Sequence, residues 1–208
     1  MKQVPYRLAE ALENICKRKS LENITVSQIA QEAGVTRQVF YRYFEDKFEL
    51  AAWIHYVHLY QSVKNALEER TDRIWQTTIR NWMYQLIENK EFYMNAFQSV
   101  SQKEFQRNIR KFFYNAYQCH MVQNMGRELT EDEAYILNIF VFGAMETIYN
   151  WISGGMVMSV ERMVDILEAA MPEIVKKWVM KSDHTRYRES MKKMEEDIAA
   201  EGLLFGIS

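Results

Sequence analysis

Gln38 and Arg42 stand four residues apart in the run TRQVFYRYFEDK at positions 36–47, so a helix there carries both on one side. A guanidinium can donate paired hydrogen bonds to guanine, a carboxamide matches the donor and acceptor edge of adenine, and an apolar side chain such as Val39 meets a thymine methyl. Tyr41, Tyr43 and Lys47 suit phosphate oxygens better, because a hydroxyl or an ammonium grips an oxygen without reading a base. The direction of these side chains follows from the aromatics. Each residue advances about 100° around a helix. Placing Phe40 at the centre of the buried side therefore turns Phe44 inward as well, with Val35 closing the same face. Gln38 and Arg42 then point away from the core, flanked by Val39 and Tyr41.

The elements that must hold this set are marked by caps and breaks. Thr25 followed by Gln28 predicts a capping box, in which the Thr hydroxyl accepts an amide of the first turn while the Gln side chain reaches back. Val26, Ile29, Ala30 and Ala33 recur at helical spacing and give that segment one narrow apolar face. Gly34 supplies the left-handed backbone that ends it, and Thr36 caps a second helix over 37–44. Two helices joined by so short a Gly turn cross steeply, the geometry of a helix-turn-helix. Asp46 with Glu49 predicts a further capping box for a third helix, whose first amides would face the same phosphate backbone. The same pattern also fits an ordinary helical hairpin with a solvated polar face.

The string ITVSQIAQEAGVTRQVFYRYFEDKFEL, positions 24–50, resembles the N-terminal DNA-binding domain of the TetR family of bacterial transcription regulators. The matching features are Ile29-Ala30, the Ala33-Gly34 turn, and the aromatic run from Phe40 to Phe44 with Lys47. The resemblance implies base contacts from Arg37, Gln38, Val39 and Arg42, and phosphate contacts from Thr25, Ser27, Tyr41, Tyr43 and Lys47. On a helical wheel Arg37 lies nearer the buried side than Gln38 does, with a side chain long enough to reach the groove edge. Arg37-Gln38, the aromatic at position 40, Asp46-Lys47 and Trp53 are similar to a subgroup that includes regulators of dihydroxyacetone kinase genes.

Composition points to an all-α chain. Two Pro and seven Gly in 208 residues leave few breakers. The net charge of −2 gives no global attraction to nucleic acid. Residues 1–50 hold eight Lys/Arg against seven Asp/Glu, so DNA affinity would rest on local placement of Arg42, Lys47 and helix amides. Cys16 and Cys119 lack a pairing pattern and no secretory signal opens the chain. Reduced thiols in a cytoplasm are the expectation.

A first helix over 5–18, striped by Leu8, Leu12, Ile15 and Cys16, would pack across the reading pair. A long helix from Asp46 through Trp53 and Leu59 towards Leu67 would join the reader to everything downstream. Further helices are expected over 73–89, 91–100, 103–125, 131–153 and 160–180, followed by a charged tail over 181–208 that is helical or partly disordered. The division is thus a helix-turn-helix domain at 1–48, a helical domain at 49–180 and the tail. Residues 134–160 carry one charge, Glu146, yet the polar Asn138 and Asn150 and the Gly154-Gly155 break argue against a membrane span. A helix apolar nearly all round is buried from more than one side. The resemblance implies that the helices near 131–153 and 160–180 pair with those of a second subunit. Two reading helices about 34–36 Å apart then meet successive major-groove faces of palindromic double-stranded DNA.

The resemblance also implies that 49–180 binds an effector. Trp82, Phe92, Tyr93, Phe97, Phe112, Phe113, Tyr117 and Met121 are dense enough to line a cavity for a small apolar or aromatic molecule, and a filled core would use the same residues. A regulator controlled by a protein partner is the alternative. His55 and His58, three apart on one helix, offer a distant third reading as a metal-dependent enzyme, but no third ligand is fixed nearby. No Gly-rich phosphate loop, nucleophile elbow or paired Cys motif is present. The expectation is a regulator with no catalytic activity, cofactor or metal.

Overall fold

In this computed structural model residues 3–69, 71–97, 102–180 and 188 are described, with the backbone alone at 97, 102–105 and 108. Among them every regular element is a helix. The first is α1 (Val4–Cys16), which buries Leu8, Leu12, Ile15 and Cys16, the expected stripe. A single 3-10 turn at Leu21–Asn23 leads into α2 (Val26–Glu32) and α3 (Arg37–Phe40). Then come α4 (Lys47–Glu68), α5 (Ile74–Glu88), α6 (Lys90–Phe97) and α7 (Gln102–Met125). The chain continues through α8 (Glu131–Ser153), α9 (Val160–Ala170) and α10 (Glu173–Val179). The expected tail lies outside the described residues except for Arg188.

Three expectations are corrected. The helix expected over 37–44 stops as an α-helix at Phe40, and the chain goes on in tight turns. There the Arg42 amide donates to Val39 O (3.3 Å) and the Tyr43 amide to Phe40 O (2.9 Å). Val and aromatic residues lose rotamer freedom against a preceding helical turn, so this stretch resists longer winding. The helix expected over 160–180 is two helices. Pro172 has no amide to donate and pushes its predecessor out of the helical region, and Met171 accordingly sits at φ −70°, ψ 123°. Finally, Glu49 does not close a box with Asp46. Its carboxylate accepts from the Glu45 amide instead, while Asp46 Oδ1 alone takes the Phe48 and Glu49 amides, each at 2.8 Å.

One core runs from Leu8 in α1 to Val179 in α10. Its N-terminal end is aromatic: Phe44 lies 5.9 Å from Phe40 and 5.7 Å from Trp53, and Tyr6 meets Trp53 edge-on at 5.1 Å. Helix α4 belongs to both halves, packing on α1 near its start and along α5 and α7 beyond. Helix α6 reaches back to the reader. Asn95 Nδ2 donates to Cys16 O at 2.6 Å, and the Tyr93 hydroxyl, His58 Nδ1 (2.7 Å), His58 Nε2 and Glu13 (3.3 Å) form a chain from α6 through α4 to α1.

Candidate nucleic-acid interface

The pair α2–α3 is fixed by short-range hydrogen bonds. Gln28 N–H donates to Thr25 Oγ1 (3.2 Å) and Thr25 N–H to Gln28 Oε1 (3.0 Å), the reciprocal box read from the sequence. At the other end of α2 the Val35 amide bonds to Ala30 O (2.9 Å) and the Gly34 amide to Gln31 O (3.0 Å), a Schellman closure around Gly34 at φ +64°. The Val39 amide then donates to Thr36 Oγ1 at 3.3 Å and starts α3. One clamp was not apparent in the sequence. Arg7, from α1, donates through Nη2 to the carbonyls of Ala33 and Gly34 (3.1 Å for the latter), holding the turn against the first helix. Nothing in the local pattern marks this, because the partners lie 26 and 27 residues apart.

This frame presents Thr36, Arg37, Gln38, Tyr41 and Arg42 to solvent, with Tyr41 51% exposed, while Phe40 is fully buried and Val39 and Tyr43 are half-buried. Arg37 is on the exposed side, its guanidinium 5.9 Å from the Tyr41 ring centroid. Thr25 and Ser27 are exposed at the start of α2. Lys47 has a different setting. Its ammonium donates to Glu22 O and Ile24 O, both at 2.7 Å, so two of its three donors tie α4 to the loop before α2. Partial burial lowers its pKa, opposed by the Glu22 and Asp46 carboxylates. The first amides of α4 are taken by Asp46, which leaves less of that helix end for an anion than the sequence implied.

Residues 9–53 match the family model described as bacterial regulatory proteins, tetR family, and residues 73–173 match one described as transcriptional regulator C-terminal region. The chain belongs to the TetR family. It is 30% identical over 100 residues to the HTH-type dhaKLM operon transcriptional activator DhaS of Lactococcus lactis subsp. lactis (strain IL1403). That stretch is 48% of this chain and 50% of the relative, so the chain spans about half the length of the curated protein it matches. The solved structure of the dihydroxyacetone kinase operon activator DhaS superposes with a TM-score of 0.53 at 18% identity, covering 86% of this chain and 98% of that one. At that identity the likeness speaks to the fold. The subgroup resemblance read from Arg37-Gln38 and Trp53 agrees with the curated Lactococcus lactis relative.

Beyond the reader, this TetR-family chain contains an apolar cleft of about 120 Å³ between α4, α5, α7 and α10. Phe112, Phe113 and Tyr117, expected from the sequence, line it together with Trp75, Thr78, Ile79 and His120, which were not expected. Trp75 Nε1 donates to the Tyr117 hydroxyl at 2.8 Å, and burial pushes that phenol up to about 12. Trp82 lines a narrow neighbouring void with Phe113 and Tyr117. Phe92, Tyr93 and Met121 are buried core residues away from the cleft, and the Phe97 side chain lies outside the description.

His55 and His58 do not converge on a shared point for a metal. His55 is packed edge-on against Trp82 (5.4 Å) and Tyr93 (5.7 Å), and burial, with His58 nearby, lowers its pKa to about 3. The His58 nitrogens face Tyr93 and Glu13. Among the described residues no group of three His, Cys, Asp or Glu is arranged to hold a metal ion, and no helix is long and apolar enough to cross a membrane. Cys16 and Cys119 are free thiols, the first pushed up to about 12, mainly by burial.

A third surface is apolar and open. Tyr135 (62% exposed), Ile139 (72%) and Phe142 (54%) follow one side of α8, and Val157 (88%) stands in the loop before α9.

Proposed function

We propose that this protein is an operator-binding transcription regulator of the cytoplasm, reading a palindromic duplex with α3 of two subunits. The observation that carries this is the solvent-facing set Arg37, Gln38 and Arg42 on α3 and the tight turn after it, held by two caps, a left-handed Gly and the Arg7 clamp. In this reading those three and Val39 contact base edges, while Thr25, Ser27, Tyr41 and Tyr43 contact phosphates and Lys47 contributes its remaining donor. Exposed Tyr135, Ile139 and Phe142 along one side of α8, with Val157 in the loop beyond it, support pairing of subunits through α8 and the following helices, since large apolar side chains left in water on one helix side mark an interface. Selection of random duplexes by the full chain tests the reading directly, and enrichment of an inverted repeat is the expected result.

The α4–α5–α7–α10 cleft supports control by a small apolar or aromatic molecule, with the Tyr117 and Thr78 hydroxyls as its polar anchors. Such a ligand acts on DNA only through differential affinity for two states of the chain. Helix α6, joined to α1 through Asn95 and through Tyr93, His58 and Glu13, is the route by which a change around the cleft would reach the reader. A melting-point screen with apolar aromatic compounds identifies the ligand, because binding to the folded state raises stability. The cleft-filling Ala116→Phe change abolishes that rise. If no compound shifts the melting point, control falls to a protein partner.

A further inference from the structure

We infer that Arg110, flanked by Arg107 and Lys111, receives the Glu146 carboxylate of the partner subunit, so that two symmetry-related ion pairs set the register of the α8 contact. The inference rests on the dimer reading above and adds to it what aligns the two chains. Glu146 is the one charged residue between positions 134 and 160, and it is exposed on the side of α8 that carries Ile139, Phe142 and Gly143. On the neighbouring helix Arg107, Arg110, Lys111 and Tyr114 form one stripe at i, i+3, i+4 and i+7. They face Asn138, Val141 and Phe142 across a cleft of about 260 Å³. Among the described residues no Asp or Glu lines this cleft. The Arg110 guanidinium lies over the Phe142 ring, 5.0 Å from its centroid, which carries the positive charge to the rim of the apolar face. No ion pair joins Arg110 and Glu146 within the chain, although both act on the Tyr149 phenol. Two unmatched charges of opposite sign therefore border one exposed apolar surface.

Symmetry brings them together. A two-fold contact uses the same patch on both subunits. Two copies of α8 running antiparallel with full overlap cross at the middle of Glu131–Ser153, beside Phe142 and Gly143. A side chain at Gly143 would meet nothing within 4 Å, so a second helix can approach closely there. A residue one turn past this crossing faces one turn before it on the other copy. Glu146 thus falls opposite Asn138 and Ile139, where the basic cleft opens. The carboxylate enters a cleft whose basic side chains repel cations and attract an anion, and so leaves its own apolar surroundings paired.

The test is the dimer Kd of the full-length protein by sedimentation equilibrium. Arg110→Glu and Glu146→Arg should each raise it by about tenfold or more, and both changes in one chain should restore it to within about threefold. The two single variants, mixed, should assemble with each other in preference to themselves, because both cross-subunit pairs are then complementary. Pairing within a chain would give no such preference, and its absence overturns the proposal. If the single variants dimerise normally while Ile139→Asp separates the subunits, the apolar face stands and the ion pairs do not. If Ile139→Asp also leaves the dimer intact, the α8 reading itself falls, and this proposal with it.

Discussion

The exposed face of α3 and the exposed face of α8 are both left open by a single chain, but they ask for opposite occupants. On α3 and the turn that follows it, Arg37, Gln38 and Arg42 present donors and an acceptor at the surface, while Phe40 is buried beneath them. On α8, Tyr135, Ile139 and Phe142 present area that water solvates poorly. The supports differ too. Helix α3 is only Arg37–Phe40 and is held by bonds spanning three to five residues plus Arg7, whereas α8 lies on a core assembled from distant aromatics. A polar face made of short-range bonds can be redirected as a unit when α1 or α4 moves. An apolar face backed by a core holds its shape and suits a permanent contact.

The largest expected effect comes from placing a charge on the apolar face. Ile139→Asp buries an unpaired carboxylate twice in a two-fold contact and should weaken the dimer by about three orders of magnitude, roughly 4 kcal/mol. Sedimentation reads this, and an unchanged dimer would remove the contrast between the faces. The next effect lies in the core where α4 meets α5, α6 and α7. His55 has its pKa held down to about 3 when folded, against about 6.5 unfolded, so the unfolded chain binds its proton first as pH falls. The stability His55 contributes is complete above about pH 6.5 and is lost towards pH 3, about 3 kcal/mol between pH 7 and pH 4. Urea midpoints for His55→Leu should show that much less acid sensitivity, whereas equal slopes would contradict a neutral packed imidazole.

On the polar face, Gln38→Ala and Arg42→Ala should each relax discrimination by roughly 1–3 kcal/mol at one base position. Equal loss on all sequences would reassign them to phosphates. For Lys47→Met two results are expected, a lower melting point from the lost carbonyl bonds and a slightly flatter salt dependence of DNA binding. The smallest effect is on the frame. Gly34→Ala at φ +64° should cost about 1–2 kcal/mol of stability, because the added carbon meets left-handed strain and lies 3.1 Å from Arg7 Nη2. A neutral result would show that the turn can adapt.

What was legible in the sequence follows the same division. Thr25, Gly34 and Thr36 announce helix ends through chemistry confined to a few residues, and all three act as read. Pro172 was as local a signal, and weighing it against the apolar pattern would have split α9 from α10. The early end of α3 was harder to see, since Phe40 and Phe44 keep their inward direction through the tight turns that follow. The cleft was legible only in its aromatic content. Its walls come from four helices, and contacts such as Trp75 to Tyr117 join residues 42 apart, so no periodicity distinguishes lining from filling. Lys47 shows the converse limit: a basic residue in a family position also serves the loop carbonyls beside it.

The central claim is that two copies of α3 read DNA together. Selection from random duplexes with the intact protein, followed by sequencing of the bound fraction, measures this in one step. The account predicts an inverted repeat whose half-site centres lie about one helical turn, 10–10.5 base pairs, apart or a multiple of it. Enrichment lost with Gln38→Ala and Arg42→Ala together would tie it to α3. Recovery of no repeated site, or of a single site bound equally well by Ile139→Asp, would contradict it.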